Sequence, residues 1–209
     1  MCGIVIVVID SLGIWLMFIF DVETLGKRSN SVILSMAAIY FDPDTKPSPK
    51  ELRDGAFFAK FSVKEQIKEM KREINQPTVD WWAKQCQNVK VASLIPSDLD
   101  CSFVDGYESM RKWADSKNDN KCWVWARGNL DQLVMDDIEE QLELEPIWPY
   151  ARWRDVRTAV DFLYNTTNGY TDVDYPGFNS KNDITKHNPI DDCVLDAMML
   201  MYGVKNDTK

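Results

Sequence analysis

Histidine is almost missing from this chain: one residue, His187, in 209. A single imidazole cannot build a histidine-rich zinc centre. The five cysteines, Cys2, Cys86, Cys101, Cys122 and Cys193, are odd in number, widely spaced and form no C-x-x-C. That argues against a disulfide frame or a zinc ribbon and for reduced thiols in a cytoplasmic protein. Positive charge is also scarce. Lysine and arginine total 24 against 33 acidic residues, a net charge of −9, which argues against a broad basic surface that grips nucleic acid by counterion release. An acidic cleft whose sign is inverted by bound metal ions is not. No uninterrupted apolar run is long enough to cross a bilayer, because Asp10 splits the apolar stretch over 1–16. No basic residue precedes that stretch, which argues against a secretory signal. This N-terminal extension has two readings, an extra strand or apolar arm, or an artefact of start-site choice with Met17 the working start; the second is the expectation, because Met17 opens the first strand directly. Asn165-Thr166-Thr167 has the form of a glycosylation sequon, and nothing else in the chain supports secretion.

What is present is an ordinary globular composition, 45% hydrophobic and 27% charged, enough for one domain with a real core. The chain carries no internal repeats. Met17-Phe18-Ile19-Phe20-Asp21-Val22-Glu23-Thr24 reads as a buried strand that ends in two acids. Side chains along a strand repeat every two residues, so Asp21 and Glu23 point to one side. Neighbouring carboxylates repel, and a cation between them removes the cost. Hard oxygen ligands suit magnesium or manganese. Taken alone, a D-x-E of this kind is more often a solvated strand end.

The apolar runs over 32–41 and 56–61, separated by polar and proline-bearing turns, predict two more strands in an antiparallel meander. Helical spacing then predicts helices over 63–74, from a Thr78 cap through Trp81 and Trp82, and over 104–116. A strand is expected over 121–127, followed by a helix from Asp131 to about Leu144 whose acidic face (Asp136, Asp137, Glu139, Glu140, Glu143) reads as solvated surface. A short extended piece and a helix follow over 152–164, and a long polar loop over 165–183. In His187-Asn188-Pro189-Ile190-Asp191-Asp192, Asn188 is a cap and Pro189 the first helical residue. His187 then lies on the preceding loop, free to share a cleft with Asp192, and its near-neutral pKa suits a general base. The last helix runs from about Pro189 to Tyr202.

Together, two acids on the first strand, Asp131 after the later strand and His187-x4-Asp192 resemble the DEDDh 3′→5′ exonucleases, a branch of the ribonuclease H-like fold. Val79-Asp80-Trp81-Trp82, Trp125-Ala126-Arg127-Gly128 and Arg154-Asp155-Val156-Arg157-Thr158 extend the resemblance to the bacteriophage exonuclease A type and its exoribonuclease-like relatives. The family carries an aromatic before its third acid, where this chain has Leu130; Asp131 is the match, with Asp136 and Asp137 as fallbacks.

The resemblance implies an α/β fold: a mixed sheet of three antiparallel strands and then parallel ones, flanked by helices. It implies an exonuclease domain over 17–203 and a polar tail over 204–209. It implies that Asp21, Glu23, Asp131 and Asp192 hold two Mg²⁺ or Mn²⁺ ions and that His187 is the general base. Thr24, Leu25, Arg127, Trp81 and Trp82 are the expected substrate contacts, although core packing competes for the tryptophans and acid pairing for Arg127 and Arg154. The expected reaction is release of nucleoside 5′-monophosphates from single-stranded 3′ ends, DNA favoured over RNA, without membrane contact. An exoribonuclease of the same mechanism and a catalytically impaired binding module are the alternatives. A calcium loop over 172–183 is disfavoured, because Pro176 takes a ligand position and Asp183 replaces the usual Glu.

Overall fold

The computed structural model describes residues 16–117 and 122–206. Five strands form one sheet: β1 Met17–Thr24, β2 Ile33–Phe41, β3 Phe57–Lys60, β4 Trp123–Ala126 and β5 Trp153–Asp155, in the order β3-β2-β1-β4-β5. The first three pair antiparallel, and β4 and β5 join parallel to β1. This is the expected mixed sheet.

Around it lie α1 Pro49–Asp54, α2 Val63–Lys68, α3 Gln76–Ala83, the short α4 Gln87–Val89, α5 Phe103–Asp115, α6 Leu130–Gln141, α7 Val156–Tyr164, the single turn α8 Ser180–Asp183, and α9 Pro189–Tyr202. Among these, none is long and apolar enough to cross a membrane.

The central strand explains where the site falls. β1 is covered on both faces, so its strand period sorts its side chains into two cores. Phe18, Phe20 and Val22 pack with α5 and α6 residues such as Tyr107, Met110, Val134 and Ile138. Ile19 packs on the other face, with Val156 and Val160 of α7 and with Cys193, Val194, Ala197 and Met198 of α9. Asp21 and Glu23 share the parity of Ile19. They therefore emerge on the α9 face, where the apolar layer ends.

Four expectations need correction. The helix expected over 63–74 stops at Lys68: Lys71 adopts a left-handed φ of 55°, and Arg72 turns inward, donating from Nε to Ser31 O at 2.9 Å and from Nη1 to Asp137 Oδ2 at 2.9 Å. Asn75, not Thr78, caps α3, because its side chain accepts the Thr78 amide and Pro77 fills the first turn. The face of α6 is not uniformly solvated. Glu139 is buried, with the Tyr107 hydroxyl 2.7 Å from its Oε1, and Asp137 pairs with Arg72. The loop over 165–183 carries one helical turn, α8. The N-terminal extension falls outside the described residues except for Leu16.

Candidate active site

The strand ends deliver the acids. β4 pairs with β1 only along Met17–Ile19 and leaves the sheet after Ala126. The Val22 N–H thus loses a strand partner, and Asp131 Oδ1, in the first turn of α6, accepts it at 3.0 Å. One hydrogen bond satisfies the backbone and seats a third carboxylate near Asp21 and Glu23.

The fourth comes from α9. Asn188 caps that helix by accepting the Ile190 and Asp191 amides, with Pro189 in the first turn. Capping turns the chain back, so His187 sits outside the helix at a left-handed φ of 66°. The His187 amide donates to Asp192 Oδ2 at 2.8 Å. Ligand atoms of Glu23, His187 and Asp192 all lie within 4.8 Å of one another. His187 Nδ1 is 4.0 Å from Glu23 Oε1, and the imidazole stands edge-on to Trp81 with centroids 4.7 Å apart. The fallback Asp137 is held by Arg72 instead, and Asp136 faces the Gln132 amide.

The electrostatics follow from burial. Asp21 is raised well above the usual carboxylate range by burial and then by Glu23, Asp131, Asp192 and Asp196. Glu23 is raised the same way, by burial and by Asp192 and Asp131. Burial pushes Asp131 to about 7 against its backbone hydrogen bonds, and Asp192 to about 7 against the His187 amide. Among the described residues no lysine or arginine lies within ion-pair distance of these four acids. Asp21 Oδ2 is buried with no hydrogen-bond partner. An orphaned buried oxygen in a set of mutually repelling carboxylates fits a divalent cation, whose charge removes both penalties. Burial, then Lys186, lowers the His187 pKa, which favours the neutral imidazole, the form that can accept a proton.

The expected substrate contacts divide. Trp81 is half-exposed beside His187, whereas Trp82 is buried and its indole N–H donates to Thr24 O at 3.0 Å. Trp82 is therefore a core residue that braces the end of β1. Thr24 and Leu25 have buried side chains, and the Leu25 backbone is committed to Val32 O at 2.8 Å and the Asn75 amide at 2.7 Å. Arg127 is not free to meet a phosphate. Its Nε donates to Asp196 Oδ1 at 3.0 Å and its Nη1 to Gly169 O at 2.8 Å, and it stacks on Tyr170. Arg154 lies over the Trp123 ring at 3.6 Å. Sequence reasoning missed Asp196. It lies one helical turn beyond Asp192 on the same face, and its i+4 spacing was the available signal.

Residues 17–203 match the family described as 3′-5′ exoribonuclease Rv2179c-like domain. This chain is a member of that family, a 3′-5′ exonuclease of the DEDDh type. It is also 26% identical over 206 residues to the exodeoxyribonuclease of Enterobacteria phage T4, covering 90% of this chain and 88% of that one. The fold is similar to the nuclease domain of 3′hExo, a DEDDh family member bound to rAMP, with a TM-score of 0.59 and 13% identity over 93% of this chain and 98% of that one. It also resembles Exonuclease I, at a TM-score of 0.55 and 12% identity over 89% of this chain; there it spans only 41% of the longer protein.

Proposed function

We propose that this exonuclease is metal-dependent and removes nucleoside 5′-monophosphates one at a time from the 3′ end of single-stranded DNA. The observation that supports this most is the gathering of Glu23, His187 and Asp192 within 4.8 Å, with Asp21 and Asp131 beside them and no lysine or arginine paired to any of the four acids among the described residues. Asp21, Glu23, Asp131 and Asp192 would hold two divalent ions, magnesium or manganese, because four carboxylates balance two doubly charged cations. When bound, such ions supply Lewis acidity, lowering the pKa of water and neutralising charge on the attacking and leaving oxygens.

The chain's own groups supply the rest. His187 accepts the proton of the attacking water, and its depressed pKa favours the neutral form for that task. The water oxygen bonds to phosphorus as the bond to the 3′-oxygen breaks. The phosphate therefore leaves on the 5′ side of the released nucleotide. Trp81, half-exposed against His187, offers a ring face or edge to the terminal base.

DNA is favoured by the likeness to the T4 exodeoxyribonuclease along nearly the whole chain. RNA is the second reading, favoured by the exoribonuclease description of the matching family. The deciding experiment offers 5′-labelled single-stranded DNA and RNA of one sequence side by side, each with a free or a blocked 3′ end. Stepwise shortening of free-ended DNA with Mg²⁺ or Mn²⁺, and survival of the blocked strand, is the expected result. Faster shortening of RNA establishes the second reading. No shortening of either strand would falsify both.

A further inference from the structure

His187 is delivered by a loop, and a loop places a side chain poorly unless something holds it. Two adjacent carboxylates at the start of α9 do the holding. Asp192 Oδ2 takes the His187 amide at 2.8 Å. Asp191 faces the other way: its Oδ2 takes the Thr185 amide at 2.9 Å, and its Oδ1 takes Arg53 Nε at 2.8 Å. Arg53, on α1, also donates from Nη2 to Asp183 O at 2.6 Å. One guanidinium thus ties α1 to the residue where the loop begins and to the helix where it ends. The loop closes on itself through Asn188 N–H to Thr185 O at 3.1 Å, and Ile184 is plugged into the α9 core.

We propose that Arg53 and Asp191 are positioning residues that anchor the 183–188 loop and so set the place of the His187 imidazole; their effect on turnover rests on His187 being the proton acceptor. The two carboxylates are not equivalent. Asp192 belongs to the acidic cleft, so its hold on the His187 amide competes with the charge that the cleft is built to bind. Asp191 is nearly buried, at 14% side-chain exposure, and is already matched by Arg53. Its hold on the loop stays the same whatever occupies the cleft. A left-handed backbone at a residue with a side chain persists only where its surroundings fix it. Asp191 and Arg53 are the part of those surroundings that lies outside the cleft.

The sole histidine makes the test direct. In the full-length, metal-free protein, His187 gives the one set of imidazole carbon-bound proton signals, displaced by the ring current of Trp81 standing perpendicular to it. Arg53→Ala should move these signals toward their free-histidine positions at constant pH. It should also lower kcat by about tenfold or more while KM stays within about twofold, since displacing a reacting group by about 1 Å costs up to ~100-fold. Arg53→Lys, which keeps the charge and loses the fork, should restore part of both effects. Lys50→Ala, an exposed neighbour on α1 paired with Asp54, should change neither.

If Arg53→Ala fails to fold, Arg53→Lys and Asp191→Asn carry the same readings. Imidazole signals unchanged from wild type in folded Arg53→Ala or Asp191→Asn overturn the anchor. Signals that move while kcat does not leave the anchor standing and remove His187 as the proton acceptor.

Discussion

Two sets of buried and part-buried acids lie a few residues apart in this protein, and they are treated in opposite ways. Around α6 and α9, Asp137, Glu139 and Asp196 each have a dedicated partner: the Arg72 guanidinium, the Tyr107 hydroxyl and the Arg127 guanidinium. At the ends of β1, α6 and α9, Asp131 and Asp192 each accept one backbone amide, Glu23 faces the His187 imidazole, Asp21 Oδ2 has no hydrogen-bond partner, and no lysine or arginine among the described residues lies within ion-pair distance of the four. Paired acids hold the fold together. Unpaired acids in the same dielectric raise one another's pKa and destabilise it. Such a set fits the divalent cations proposed for this cleft, whose charge would offset that cost.

The largest expected effect comes from breaking the unpaired set. Asp21→Asn should lower kcat by about 10³-fold, since cation-based stabilisation of the transition state is worth several kcal/mol. The same variant should raise metal-free stability by about 1 kcal/mol, because a buried, repelled charge is gone. Activity and urea unfolding measured on one preparation check both halves.

The converse change is Arg72→Ala. Its side chain is 1% exposed and holds Asp137, Ser29 O and Ser31 O together. Removing it leaves Asp137 with only the Ser29 hydroxyl and deprives two carbonyls of a donor, at a cost of about 3 kcal/mol in unfolding free energy. The residual folded protein should keep near wild-type kcat.

Acidity sharpens the comparison. Asp131 and Asp192 titrate near 7 in the fold, against about 3.9 when unfolded. Folded protein therefore binds the extra protons between those values. That stability is complete below about pH 4 and is lost as pH rises through about 7. Metal-free protein should melt at a higher temperature at about pH 5.5 than at about pH 8. Millimolar Mn²⁺ should reverse the order by stabilising the ionised set. Thermal melts in chelator and in Mn²⁺ read the crossover.

The smallest effect is expected for Tyr107→Phe, which removes the hydroxyl between Glu139 Oε1 and Glu145 O. It should cost about 1–2 kcal/mol of stability and no activity.

What could be read from the sequence divides along the same line. Strand parity put Asp21 and Glu23 on one side, and the Asn188-Pro189 start put His187 ahead of α9. Both are local rules, and both hold in the fold. Asp131 was reached through the buried strand before it, and the Val22 amide explains its seat. The partners of the paired acids were not legible. Arg72 looked like a helical residue of the 63–74 stretch, and Asp137 and Glu139 like solvated surface. Arg127 was open to a phosphate role, and Trp82 to a lining role. Each is decided by a contact between segments far apart in the chain, such as Arg127 with Asp196 or Trp82 with Thr24 O. Periodicity and capping carry no information about such contacts. Arg53 and Asp191 belong to the same class.

Anomalous diffraction from Mn²⁺-soaked crystals of the full chain tests the central claim most directly. Two peaks bounded by the carboxylates of Asp21, Glu23, Asp131 and Asp192 are the predicted result. A cleft without anomalous density, or density only at the paired acids Asp137, Glu139 and Asp196, would contradict it.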